Sequence, residues 1–192
     1  MGSQLNGIIG VTGTPGTGKK SVAPLLAKGL RVQCLSIDGV ARAHGLLKSR
    51  GGEWEVDAAA LRREFHGFSN PAVLYGHLLP HSIDERLVSR AVVLRCEPSV
   101  LKRRLAGRGY SQKKVIDNVE SELIGVVSSE TFEAFGEAKT FEIDTTDTAP
   151  EEAAGALKGV IDGDSKPGPR IDWTLAYDTG AKLRALLSVG KS

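Results

Sequence analysis

Cysteine is scarce, with Cys34 and Cys96 the only two in 192 residues. Two thiols so far apart suggest neither a disulfide scaffold nor a cysteine metal site. Both lie in apolar, strand-like stretches, and a pair of buried thiols fits the reducing cytoplasm. Long apolar runs are missing too. Nothing approaches the roughly 20 consecutive apolar residues of a membrane span, so no membrane partner is expected. The N-terminus lacks a signal-peptide pattern, because its apolar run is short and enters a glycine loop at once. Charge of one sign is also absent. Lysine and arginine number 25 against 23 acids, a formal net charge of +2, which argues neither for nor against nucleic acid. What remains is a cytoplasmic globular domain, long enough to bury roughly two-thirds of its unfolded surface without a staple.

Apolar, β-branched runs at 7–12, 32–37, 72–75, 91–94 and 140–143 read as short buried strands. Helical patterns at 19–30, 57–65, 99–106, 113–127 and 150–161 interleave with them. This alternation predicts an α/β fold with a mostly parallel five-stranded sheet and helices on both faces. Asp57 and Ser99 stand where helix N-caps belong. Val115, Val119, Leu123 and Val126 form one apolar stripe, and Asn118 and Glu122 share the stripe beside it. From Lys102 to Lys114 lie Lys102, Arg103, Arg104, Arg108, Lys113 and Lys114 with no acid among them. Such a run reads either as a solvated helix face or as a phosphate-facing element. Residues 162–170, rich in Gly, Pro, Asp and Ser, read as a linker to a C-terminal appendage, 171–192.

Gly13-Thr14-Pro15-Gly16-Thr17-Gly18-Lys19 follows the first strand and opens the first helix, the context that a phosphate loop requires. The glycines admit backbone conformations that bring N–H groups close to phosphates, and the helix end adds its positive dipole. The predicted class is therefore a P-loop NTPase over residues 7–161. Lys19 is expected to face solvent and to meet the outer phosphates of ATP. The strict pattern places Ser or Thr directly after that lysine, for Mg2+. Here Lys20 intervenes and the hydroxyl comes at Ser21. Nucleoside-monophosphate kinases commonly have this displaced arrangement, so the departure weighs more against a GTPase than against a kinase.

Further motifs narrow the reading. The third strand leads into Gly76-His77-Leu78-Leu79-Pro80, and the fifth ends Ile143-Asp144-Thr145-Thr146. Between them runs Arg108-Gly109-Tyr110-Ser111, followed by Lys114, Asn118 and Glu122. This combination resembles the small adenylate kinases of archaea and the eukaryotic nucleus that also act in small-ribosomal-subunit maturation. The resemblance covers about residues 8–161. It implies that Gly16, Gly18, Lys19, Lys20 and Ser21 contact ATP phosphates, within a loop that includes Gly13, Pro15 and Thr17. It implies that Arg108 belongs to a short lid, about 106–117, and that Thr145 and Thr146 lie near the adenine. Arg42, in an AMP-binding segment of about 36–65, matches an AMP-phosphate arginine, and Asp38 is counted with that segment. His77 matches a histidine linked to ATPase behaviour. Lys19, Arg108 and His77 are the expected catalytic residues, Ser21 the expected metal ligand, and ATP and Mg2+ the expected cofactors. The implied partners are AMP, ATP and a small-subunit ribosomal protein or rRNA precursor.

Bland alternatives stand beside these. Arg42 also fits an exposed helix arginine and His77 a hydrogen-bonded loop histidine. Asn118 and Glu122 read as braces for the lid and helix, and Trp54 and Trp173 as packing residues. The resembling family usually carries an acid two residues before the histidine, where this chain has Tyr75. That neutral residue favours a slow, nucleotide-switched ATPase acting as an assembly factor. A P-loop kinase of a small alcohol would share only the phosphate loop. The appendage is expected to dock on the core or a partner and to be dispensable for nucleotide binding.

Overall fold

A computed structural model describes residues 7–50, 53–66, 68, 71–164, 166 and 168–188, and of 49–50 and 53–55 the backbone only. The Trp54 side chain and residues 165, 167 and 189–192 of the expected linker and appendage lie outside the described residues.

Five strands build the sheet: β1 (Ile8–Thr12), β2 (Gln33–Ser36), β5 (Ala72–Tyr75), β6 (Val88–Arg95) and β7 (Thr140–Asp144). They run parallel in the order β2-β5-β1-β6-β7. A separate antiparallel pair, β3 (Leu47–Arg50) and β4 (Glu53–Val56), follows the helix α2 (Ile37–Ala43). Successive side chains of a strand point to opposite faces, and β1 obeys this. Ile9 and Val11 join one core, while Ile8 joins the other.

On the first face, α1 (Lys19–Leu30) and α8 (Pro150–Asp162) bury Val22, Ala23, Leu26, Ala153, Ala154 and Leu157 against the strands. On the second face lie α2, α3 (Ala58–Glu64), α4 (Leu79–Ser82) and α7 (Val126–Phe135), which contribute Ile37, Ala41, Leu61, Leu79 and Phe135. A third cluster forms beyond the sheet. There α5 (Pro98–Ala106) and α6 (Gln112–Leu123) pack Leu101, Leu105, Val115 and Val119 with Leu186 of α9 (Gly180–Leu187). Lys102 donates to the carbonyls of Leu186 at 2.6 Å and Ser188 at 2.7 Å, so it closes the C-terminal end of α9.

Two expectations, the helix over 113–127 and the burial of Cys34, need correction. The helical pattern at 113–127 is not one helix, because Gly125 takes a φ of 68°. That left-handed turn suits glycine, ends α6 and starts α7 in a new direction. Cys34 is only half-buried, since β2 is an edge strand. The described part of the appendage is docked, with Trp173 and Tyr177 packed against the third cluster. Among the described residues, no helix is long and apolar enough to cross a membrane.

Candidate active site

Between the end of β1 and the start of α1 the chain turns through the phosphate loop. Gly13 has a φ of 134°, and a Cβ there would lie 2.3 Å from the Leu94 carbonyl oxygen. Glycine is the only residue that lets β6 pass so close. Gly18 is the N-cap of α1 and supplies no side-chain cap. The first N–H groups of the helix are therefore left to an anion.

Lys19 does not face solvent as expected. It is half-buried and folds back, donating to the carbonyls of Gly13 at 2.5 Å and Thr14 at 3.0 Å. Desolvation lowers the pKa of its ammonium to about 7, against the opposing attraction of Glu122 and Asp38. Arg108 and Lys20 push it in the same direction as burial does. His77 stands on the connection from β5 to α4 and is exposed at its surface. The protein crowded around it and then the charge of Lys19 lower its pKa. Asp38 acts on both groups in the opposite sense. Lys19, His77, Asp38 and Arg108 thus come from four segments and share one electrostatic neighbourhood.

A cavity of about 310 Å³ opens beside the loop. Six expected residues line it: Gly16, Thr17, Gly18, Ser21, Arg108 and Thr145. Its volume lies within the roughly 300–1,000 Å³ usual for small-molecule sites. Arg104, a member of the basic run, lines it as well, and so does Thr148, which the sequence did not single out. The Thr145 hydroxyl donates to the Thr17 carbonyl at 2.8 Å, which fastens the loop to the turn after β7. Thr146 is not on the wall. Its hydroxyl bonds Asp144 and accepts from the Glu97 N–H at 2.9 Å, so it holds the turn in shape. Gly13, Pro15, Lys19 and Lys20 belong to the loop or helix but do not line the cavity, and Lys20 is exposed. Arg42 lies outside it too, exposed in the last turn of α2, one turn beyond Asp38.

The basic run divides among separate tasks. Arg104 and Arg108 reach the cavity, Lys102 holds α9, and Lys113 pairs with Asp117 at 2.7 Å. Asn118 returns its amide to the Lys114 carbonyl at 2.6 Å, one turn back in α6. Glu122 is 1% exposed and bonded to the phosphate loop through Thr14.

The donor set suits a metal brought in by the nucleotide. Among the described residues, no group of three or more His, Cys, Asp or Glu could hold an ion. Mg2+ binds hard oxygens and keeps several waters, so phosphate oxygens would supply most of its shell. Ser21 would add a protein hydroxyl, and Asp38 is a carboxylate close enough to act on Lys19. Asp84, a carboxylate on the connection from α4 to β6, is bound to Arg86 at 2.8 Å ahead of β6. That is the end of the sheet remote from the loop.

A second cavity, of about 320 Å³, lies between the α6–α7 turn and residues 170–174. It is separate from the phosphate loop, and two of its charged walls, Arg95 and Glu142, already bond each other at 2.6 Å, while Arg170 and Asp172 line it too.

Residues 9–125 match a family described as an AAA domain. A protein from Thermococcus gammatolerans named "Putative adenylate kinase" is 39% identical over 176 residues, spanning 89% of this chain and 95% of that protein. One of the same name from Halobacterium salinarum is 36% identical over 168 residues, spanning 86% and 97%. Among solved structures, a shikimate kinase from Acinetobacter baumannii in complex with shikimate superposes with a TM-score of 0.59 at 14% identity, covering 83% of this chain and 95% of that one. The YorR protein of Bacillus subtilis, in complex with phosphorylated GDP, gives a TM-score of 0.58 at 19% identity, covering 82% and 96%. At such identities these two establish the fold alone.

Proposed function

The chain belongs to the AAA-domain family, as a P-loop kinase, and on that premise we propose that it transfers the γ-phosphate of ATP to AMP, giving two ADP. The observation that carries this reading is the convergence of Gly16, Thr17, Gly18, Ser21, Arg108 and Thr145 on one cavity beside Lys19. Names given to the archaeal relatives favour AMP as acceptor.

Phosphoryl transfer asks a protein mainly for alignment and charge stabilisation. An oxygen of the AMP phosphate attacks the γ-phosphorus, and the bond to the β-phosphate oxygen breaks, releasing ADP. Loop N–H groups and Lys19 hold the ATP phosphates. Arg108, on the exposed turn between α5 and α6, closes onto the transferring group and offsets its charge. Arg42 and Asp38 orient the monophosphate on the α2 side. Mg2+, when bound, neutralises charge on the phosphates. Closing the turn excludes water, the competing acceptor, and imperfect exclusion gives ATPase activity, with His77 orienting the water.

The test is a coupled assay of ATP with each nucleoside monophosphate, then of ATP alone. ADP formation that needs AMP is the expected result. No turnover with any monophosphate would sink the proposal. Tyr75 favours a second reading, a slow ATPase that times small-ribosomal-subunit maturation with a ribosomal protein or rRNA precursor as partner. That reading predicts ATP hydrolysis stimulated by such a partner and indifferent to AMP.

A further inference from the structure

Thr14 is the hub of the phosphate loop. Its carbonyl accepts from the Thr17 N–H at 3.2 Å, the Thr17 hydroxyl at 3.0 Å and the Lys19 ammonium at 3.0 Å. Its hydroxyl points the other way and donates to Glu122 at 2.5 Å, across 108 residues of sequence. Both residues are 1% exposed. The second oxygen of Glu122 accepts from Arg95 at 2.9 Å, from the Cys96 N–H at 2.9 Å and from the Trp173 indole at 3.3 Å. Arg95, 2% exposed, extends the chain by donating to Glu142 at 2.6 Å and to the Ile171 carbonyl at 3.0 Å. Glu142 in turn accepts from the Ser128 hydroxyl and the Ile171 N–H. Every member is bonded on several sides, which is the condition for a buried polar network to rigidify its surroundings.

We infer that Glu122 is a positioning residue for the nucleotide: anchored by Arg95 and by Trp173 of the C-terminal segment, it fixes the phosphate loop through the Thr14 hydroxyl. This rests on the kinase reading above and adds a residue that contacts no substrate. Fixing Thr14 fixes the carbonyl on which Lys19 leans. The same Glu122 carboxylate holds Arg95 and the Cys96 N–H at the end of β6 and the Trp173 indole of the C-terminal segment, so its loss releases Thr14 from both anchors. A brace for the core alone would change the melting temperature and leave nucleotide binding unmoved.

The experiment measures ATP affinity of the full chain by displacement of a fluorescent ATP analogue. Wild type, Glu122→Gln, Thr14→Val and Thr14→Ser are compared, with melting temperatures. Thr14→Val is expected to bind about tenfold more weakly, the loss typical of a hydrogen bond to a charged partner. Thr14→Ser keeps the hydroxyl and recovers most of that loss, which a merely structural role would not require. Glu122→Gln is expected to bind more weakly too. A folded Glu122→Gln with wild-type affinity would overturn the inference, even if it melts earlier. Should Glu122→Gln fail to fold, Thr14→Val decides, and wild-type affinity in that variant overturns it. A wild type that binds no ATP would overturn the kinase reading itself, a result distinct from either.

Discussion

Arg104 donates from one guanidinium nitrogen to the carbonyl of Thr145 at 2.9 Å and to that of Thr146 at 2.7 Å. The last turn of α5 is thereby tied to the turn after β7, while Arg108, four residues on, stays exposed. The two arginines of one cavity should therefore fail differently. Arg108→Ala is expected to lower kcat by about a hundredfold with little change in ATP KM, because its charge matters most as the phosphate transfers. Arg104→Ala should chiefly raise ATP KM. Arg42→Ala should raise AMP KM by about tenfold, the loss of one charge-assisted contact. Steady-state kinetics with each substrate varied in turn checks all three, and identical profiles would refute the division.

ATP affinity is expected to fall as pH rises through about 7, the lowered pKa of Lys19. Polyphosphate favours the ammonium, so binding near and above that pH takes up a proton. The favourable contact is complete below it and lost progressively above. Titration calorimetry in buffers of different ionisation heat should register the uptake, and Lys19→Met should abolish it together with turnover. Stability of the protein without nucleotide follows the opposite trend. Its Lys19 contribution rises between about 7 and the model-compound value of 10.5, because over that range the unfolded chain binds this proton more tightly.

Removal of residues 171–192 should lower the melting temperature and weaken ATP binding by more than about threefold. The cut leaves Arg95 without the Ile171 carbonyl and Glu122 without the Trp173 indole. It also uncovers the third core cluster, from which Leu186 is 4% exposed. Leu186→Ala alone should cost about 2–4 kcal/mol, in the range of buried leucine truncations, read by urea unfolding. Unchanged ATP affinity after truncation would instead bear out the expectation of a dispensable tail.

Tyr75→Asp tests the missing strand-end acid. Tyr75 is half-buried against the first core cluster, so the substitution should lower the melting temperature. It should also raise kcat and lower the Mg2+ concentration for half-maximal rate, since a carboxylate near the phosphates helps to orient the hydrated ion. Asp38→Ala should move the Mg2+ requirement the other way. Rate against Mg2+ in the three proteins decides, and an unmoved curve for Tyr75→Asp makes position 75 a packing site only.

The parts of the fold that local chemistry dictates could be read directly. Gly13 to Lys19 needs only its own glycines and the helix behind it, and the apolar runs of the five sheet strands announce themselves. The hairpin β3–β4 pairs Lys48 with Glu55 and has one apolar residue, Leu47, in β3, so no apolar run marks it. The helix α2 follows β2 with no residue between them, so its first residue, Ile37, belongs to the apolar run that reads as a strand over 32–37. The reading of one helix over 113–127 failed because Gly125 lies inside an otherwise continuous apolar stripe, and only its φ reveals the break. The Thr14–Glu122 bond escaped for a different reason. Glu122 looks like any helical glutamate until β6 brings Arg95 beside it. Thr148 and Arg104 reach the cavity only because the turn after β7 folds back over the loop.

Residues 171–173 have a consequence for the order in which the site matures. A chain is made from its N-terminus, and its early segments can begin to fold first. The phosphate loop is made before the indole and the carbonyl that complete its brace. A nascent chain thus holds a glycine loop whose anchor does not yet exist, and the brace closes only once residues 171–173 have been made and have docked.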